Sequence, residues 1–92
     1  MTLNDSVKIG STLFVQQVDN EIVILDTKSE EYFGLDAMGA VMWEELSQSG
    51  SLQKVFDVVS ETYEVDDSQL EADIIRFVVS LADAGLVQVE SR

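Results

Sequence analysis

Glu31-Tyr32-Phe33-Gly34-Leu35-Asp36-Ala37-Met38-Gly39-Ala40-Val41-Met42-Trp43 decides the fold, because the periodicity of the apolar residues changes inside it. Up to Leu35 the run is short and aromatic, as in a strand. Beyond Asp36, residues Met38, Val41, Met42 and Leu46 recur at the spacing of one helical face. Asp36 has the short acceptor side chain of an N-cap, and Ser49-Gly50 stops the run. Trp43 is expected at the edge of this stripe. Gly39 falls inside it, where a missing side chain suits the close approach of another backbone.

Two further β-branched and aromatic runs lie upstream, at residues 12–18 and 21–27, split by Asp19-Asn20, a pair suited to a tight turn. They predict a hairpin. The unbroken Ile22-Val23-Ile24-Leu25 suggests a strand covered on both faces, and Lys28-Ser29-Glu30 turns the chain into a third strand at residues 31–35. Downstream, Ser51 caps a second helix with the apolar stripe Leu52, Val55, Phe56, Val59 and Tyr63. A third helix starts at about Asp66-Asp67, whose charges suit an N-terminal dipole, and ends at Gly85, which suits a left-handed position. Its core stripe is Leu70, Ile74, Phe77, Val78 and Leu81. A second apolar side, Ala72, Ile75, Val79 and Ala82, leaves only Asp73, Arg76, Ser80 and Asp83 on a polar face. Leu86-Val87-Gln88-Val89 is expected as a short extended segment. The order is that of an α+β fold, a three-stranded antiparallel sheet followed by three helices, winged helix-turn-helix-like in topology. At 92 residues and 46% apolar content, residues 1–92 make one domain with its core at about 10–90.

Composition excludes more than it suggests. The chain has no histidine, which removes the commonest general base and metal ligand, and no cysteine, which removes disulfides and thiolate sites. With no basic apolar head and no run of about 18 apolar residues for a membrane span, a cytoplasmic protein without a membrane partner is expected. Five Lys and Arg against 18 Asp and Glu give a net charge of −13. The cations are scattered, and the third helix offers one, Arg76, against Glu71, Asp73 and Asp83, so phosphate contacts are not available and no nucleic-acid partner is expected. A basic or neutral peptide would be steered favourably.

The acidic pairs Glu30-Glu31, Glu44-Glu45 and Asp66-Asp67 lack the alternate spacing and central glycine of a calcium loop and are read as helix ends and solvated faces. No serine stands beside a histidine or within a nucleophile turn. Gly34 to Gly39 lacks the spacing and the lysine of a phosphate-binding loop. No catalytic residue, cofactor or metal is therefore expected, and the protein is read as not an enzyme. What remains is a short third strand, at a sheet edge, beside a helix with more apolar surface than one contact requires. An extended peptide could add as a further strand along residues 30–34, with side chains entering pockets lined by Phe33, Phe77 or the Ile75/Val79 patch. The same apolar side could equally pack on the strands or on a second copy.

The run from Val23 to Leu46, with Ala72-Asp73, Phe77 and Leu81-Ala82-Asp83-Ala84-Gly85-Leu86 later, resembles the PqqD-like family, the RiPP recognition elements. The most specific parts are Tyr32-Phe33-Gly34-Leu35-Asp36, Gly39 and Trp43, then Leu81, Gly85 and Leu86, and the likeness spans about residues 10–90. The resemblance implies a three-strand, three-helix domain that binds the leader segment of a ribosomally made precursor peptide as an added strand between the third strand and the third helix. With no enzyme fused here, it implies delivery in trans to a leader peptidase or other modifying enzyme. The wording around Tyr32, Gly34, Leu35 and Asp36 is more similar to the stand-alone lasso-peptide proteins than to the member that serves a radical-SAM enzyme in pyrroloquinoline quinone synthesis. Carried onto this chain, the resemblance implies peptide contacts at Glu30, Glu31, Tyr32, Phe33, Gly34, Asp73, Arg76, Phe77 and Ser80, with Ile75 and Val79 as the alternative groove wall. Strand pairing with one or two buried anchors gives binding near a micromolar, about −8 kcal/mol.

Overall fold

A computed structural model describes residues 1–90. The strands are β1 (Ser6–Ile9), β2 (Leu13–Val18), β3 (Glu21–Asp26), β4 (Glu31–Leu35) and β5 (Val87–Glu90). The helices α1 (Ala37–Ser49), α2 (Leu52–Thr62) and α3 (Asp67–Asp83) lie between β4 and β5. β2, β3 and β4 form an antiparallel sheet in that order, which is the expected three-stranded sheet with β4 as its third strand. β1 and β5 form a separate antiparallel pair.

The helix boundaries follow the capping chemistry of the sequence. Asp36 accepts a hydrogen bond from the Gly39 amide at 2.8 Å, Ser51 from Lys54 at 3.2 Å, and Asp66 from Gln69 at 3.2 Å. Gly50 closes α1 with a left-handed φ of 67°, and its N–H donates to the Leu46 carbonyl at 2.8 Å. Gly85, with a φ of 78°, turns the chain so that the Leu86 amide reaches the Leu81 carbonyl at 3.0 Å. β5 then runs back along β1, from Ser6 beside Glu90 to Ile9 beside Val87.

The core is the inner layer between the sheet, the three helices and the β1–β5 pair. Ile24, Leu46, Leu52, Val55, Val59, Ile74, Val78 and Leu86 are fully enclosed. Each such side chain stabilises by about 1.5–3 kcal/mol, and truncating one, as in Ile24→Ala, costs about 2–5 kcal/mol.

Three expectations are corrected, and one further strand is found. β3 is not covered on both faces: Ile22, Ile24 and Asp26 are buried while Val23 and Leu25 are half-exposed, because no element lies over the outer face. Trp43 is not at the edge of the α1 stripe but in the core at 3% exposure, with Ala40, whereas Met38 and Val41 are only half-buried. The helix is rotated toward its smallest residues, which let it approach the sheet. Gly39 faces side chains rather than backbone: a Cβ there would meet Asp36 Oδ1 at 3.3 Å, the Leu35 Cβ at 3.4 Å and the Phe77 ring at 3.5 Å. Finally, β1 is a strand that periodicity did not reveal. Its four residues offer one core side chain, Val7, and its pairing is supplied from 80 residues away by β5 and by the Val7–Gly50 hydrogen bond.

Candidate functional site

β4 lies at the end of the sheet order, so one of its edges is paired with β3 and the other is free. Ile24 stands beside Phe33 and Ile22 beside Leu35, so Phe33 and Leu35 share the inner face while Tyr32 and Gly34 point outward. Tyr32 is 71% exposed, and nothing lies within 4 Å of where a Gly34 Cβ would stand. A free strand edge with an unobstructed backbone accepts a further strand.

Two adjoining cavities lie beside this edge. The first, about 440 Å³, is walled by Gly34, Leu35 and Asp36 on one side and by Asp73, Arg76, Phe77 and Ser80 of α3 on the other, with Met38, Gly39, Met42 and Leu70 at its base. The second, about 490 Å³, runs from Tyr32 and Phe33 to Leu81, Ala84 and Leu86. Gly34, Leu35, Phe77 and Ser80 line both, so the two make one groove divided by the half-buried Phe77 ring.

Of the residues implied by resemblance, Tyr32, Phe33, Gly34, Asp73, Arg76, Phe77 and Ser80 come together along this groove. Glu30 and Glu31 line neither cavity. Glu30 closes the β3–β4 turn in a left-handed conformation, φ 61°, and donates its N–H to the Asp26 carbonyl at 2.7 Å. Ile75 and Val79 line neither cavity as well, Ile75 being half-buried and Val79 40% exposed on another side of α3. The groove floor of Leu35, Met38, Gly39 and Met42, and the far wall at Ala84 and Leu86, were not foreseen. Their signal was present in the i,i+4 spacing of Met38 and Met42 around a glycine, which reads equally as ordinary core.

The polar groups of the lining are engaged within their own helices. Asp73 accepts from Arg76 at 3.3 Å and from Gln69 at 2.9 Å, and Asp36 is occupied as the α1 cap. The Asp73–Arg76 pair is largely solvated, so it contributes less than about 1 kcal/mol and can exchange partners readily. The carboxylates with displaced pKa values lie elsewhere. The Lys28 amide, then the Thr12 hydroxyl, hold Asp26 below its ordinary value against the opposing effect of burial, and the Ser68 hydroxyl and Gln69 amide do the same for Asp66. Among the described residues no group of three or more acidic side chains is gathered as a metal site, and no helix is long and apolar enough to cross a membrane.

The family model described as "Coenzyme PQQ synthesis protein D (PqqD)" matches residues 21–87. No curated protein matches in sequence. Two solved structures are similar over nearly the whole chain. "TbiB1 in Complex with the TbiA(beta) Leader Peptide" aligns with a TM-score of 0.85 and 31% identity, covering 88% of this chain and 94% of that one. "Lasso peptide synthetase B1 complexed with the leader peptide" aligns with a TM-score of 0.82 and 29% identity, covering 90% and 98%.

Proposed function

Because this chain belongs to the PqqD family, we propose that it is a non-catalytic RiPP recognition element that captures the leader segment of a precursor peptide for a processing enzyme in the cytoplasm. The observation that carries this reading is the free edge of β4 beside the groove that Phe77 divides. A leader running along β4 would gain backbone hydrogen bonds from the strand and would send alternate side chains into the cavities on either side of that ring. Asp73, Arg76 and Ser80 would hydrogen-bond its polar groups. Ile75 and Val79 are the less favoured wall, since they line neither cavity.

The pathway we propose is lasso-peptide biosynthesis, with a leader peptidase as the enzyme served in trans. Two relatives bound to leader peptides, one of them a lasso peptide synthetase B1, support this. Service to a radical-SAM enzyme is the alternative, favoured only by the description of the family model. The winged helix-turn-helix likeness is proposed as a description of the α2–α3 pair and the sheet, without a DNA-binding role, given the charge of −13.

Titration of the fluorescently labelled TbiA(beta) leader, and of the leader encoded nearest this chain's gene, into the protein tests the reading. Saturable one-to-one binding in the micromolar range is expected. The absence of saturable binding to either peptide would remove the adaptor function.

A further inference from the structure

β2 is the second free edge of the sheet, and it has none of the features that normally protect one. Its sequence, Leu13-Phe14-Val15-Gln16-Gln17-Val18, has no charge and no proline, although nearly a fifth of the chain is acidic, 18 of its 92 residues. Apolar side chains are exposed on both of its faces. Phe14 is 60% exposed on the outer face with Val18, and Val15, which shares the inner face with Ile24, is still 42% exposed because it faces an open cleft that it lines with Gln17 of β2 and Trp43, Glu44 and Ser47 of α1.

We propose that β2 pairs antiparallel with β2 of a second copy, joining two sheets into one of six strands. A twofold axis normal to the sheet at Gln16 preserves the face of every residue, as a continuous sheet requires. Gln16 then lies beside its own copy, Phe14 beside Val18 and Val15 beside Gln17. Aromatic and β-branched cross-strand pairs of the Phe14–Val18 kind stabilise sheets, and this one occurs twice. The flanking acids fit the same register. Asp19, in the turn that ends β2, falls nearest Leu13 of the copy, and Glu21 lies in β3 beside Val18, on the side of β2 away from the join, so no carboxylate meets another across it. The pairing is independent of the peptide reading, since β4 and its groove stay open at both outer edges of the dimer.

The charge of −13 on each copy opposes association in a manner that salt reveals. The molecule measures 36 × 33 × 19 Å, so the centres of two side-by-side copies lie well beyond the screening length of about 8 Å at 0.15 M salt, and within reach of the length of about 30 Å at 0.01 M. The join itself has no ion pair for salt to weaken. Dimerisation is therefore promoted by salt.

Sedimentation equilibrium on the full chain, from micromolar to millimolar concentration at about 0.01 M and about 0.15 M salt, tests this. A monomer–dimer equilibrium that tightens with salt is expected, with association weakened about tenfold or more by Phe14→Lys, which places a charge beside a neutral strand at each end of the join. Tyr32→Lys, on the same outer face at the opposite edge, is expected to leave the dimer intact, because face-to-face stacking of sheets is not involved. A monomer under every condition, a dimer dissolved by salt, or a dimer lost with Tyr32→Lys and kept with Phe14→Lys would each overturn the proposal. So would a titration in which two leader peptides bind each chain, one of them protecting the β2 amides, since the edge would then belong to the peptide.

Discussion

Replacing Phe77 with alanine separates the groove from the rest of α3. The ring is half-buried, resting near Leu35 and Gly39 on one side and dividing the two cavities on the other. A fully enclosed Phe→Ala costs about 3–5 kcal/mol, so for a half-enclosed ring the folding cost is about 2 kcal/mol. For a domain of this size that lowers Tm by about 10 °C and leaves the protein folded at 25 °C. Unfolding is readable from Trp43, which is 3% exposed in the native state and reports the loss of the core by fluorescence. Loss of a central aromatic anchor from an interface costs about 2 kcal/mol of binding, which is about 30-fold in Kd. Fluorescence anisotropy with the labelled leader should therefore show affinity falling from micromolar to tens of micromolar for Phe77→Ala. Val79→Ala, two residues along on another side of the same helix, should stay within about twofold. The converse pattern, with Val79→Ala weakening binding and Phe77→Ala leaving it unchanged, would refute the assignment of the groove to the Asp73–Ser80 side.

Three other perturbations have definite outcomes. Gly50→Ala places a Cβ 2.7 Å from the Val7 carbonyl at a left-handed φ of 67°, and should cost about 1–3 kcal/mol in urea denaturation while leaving peptide affinity unchanged. Asp26 has its pKa lowered in the fold, so its contribution is complete above the unfolded value of about 3.9 and is lost as pH falls through the lower folded value. Asp26→Asn should accordingly lower the urea midpoint at pH 7 and flatten the acid limb of the stability profile. A duplex DNA should give no gel shift at low salt, and a salt-sensitive complex would overturn the exclusion of a nucleic-acid partner.

The caps and turns were legible because they depend on neighbours in sequence. Asp36, Ser51, Asp66, Gly50 and Gly85 each act through hydrogen bonds or backbone conformations within a few residues. Half of the groove was legible for the same reason: the apolar strand 31–35 and the two-sided helix 67–83 carry their own periodicities. Which side of α3 faces β4 was not, since Phe77 and Val79 are both apolar and only packing against Leu35 and Gly39 distinguishes them. The pairing of β1 with β5 was hidden by distance, because each contributes four residues whose partners lie at the other end of the chain. Likewise Trp43 was misjudged from the α1 stripe: Gly39 and Ala40 bring that helix close to the sheet, and the bulky ring fills the space beneath.

Hydrogen exchange of backbone amides with and without a saturating leader peptide tests strand addition at β4 most directly. Protection should rise at alternate residues within Glu31–Leu35, where the free edge lies, and remain unchanged in Leu13–Val18. Tight binding with no new protection in β4, or with protection confined to β2 or α2, would contradict it.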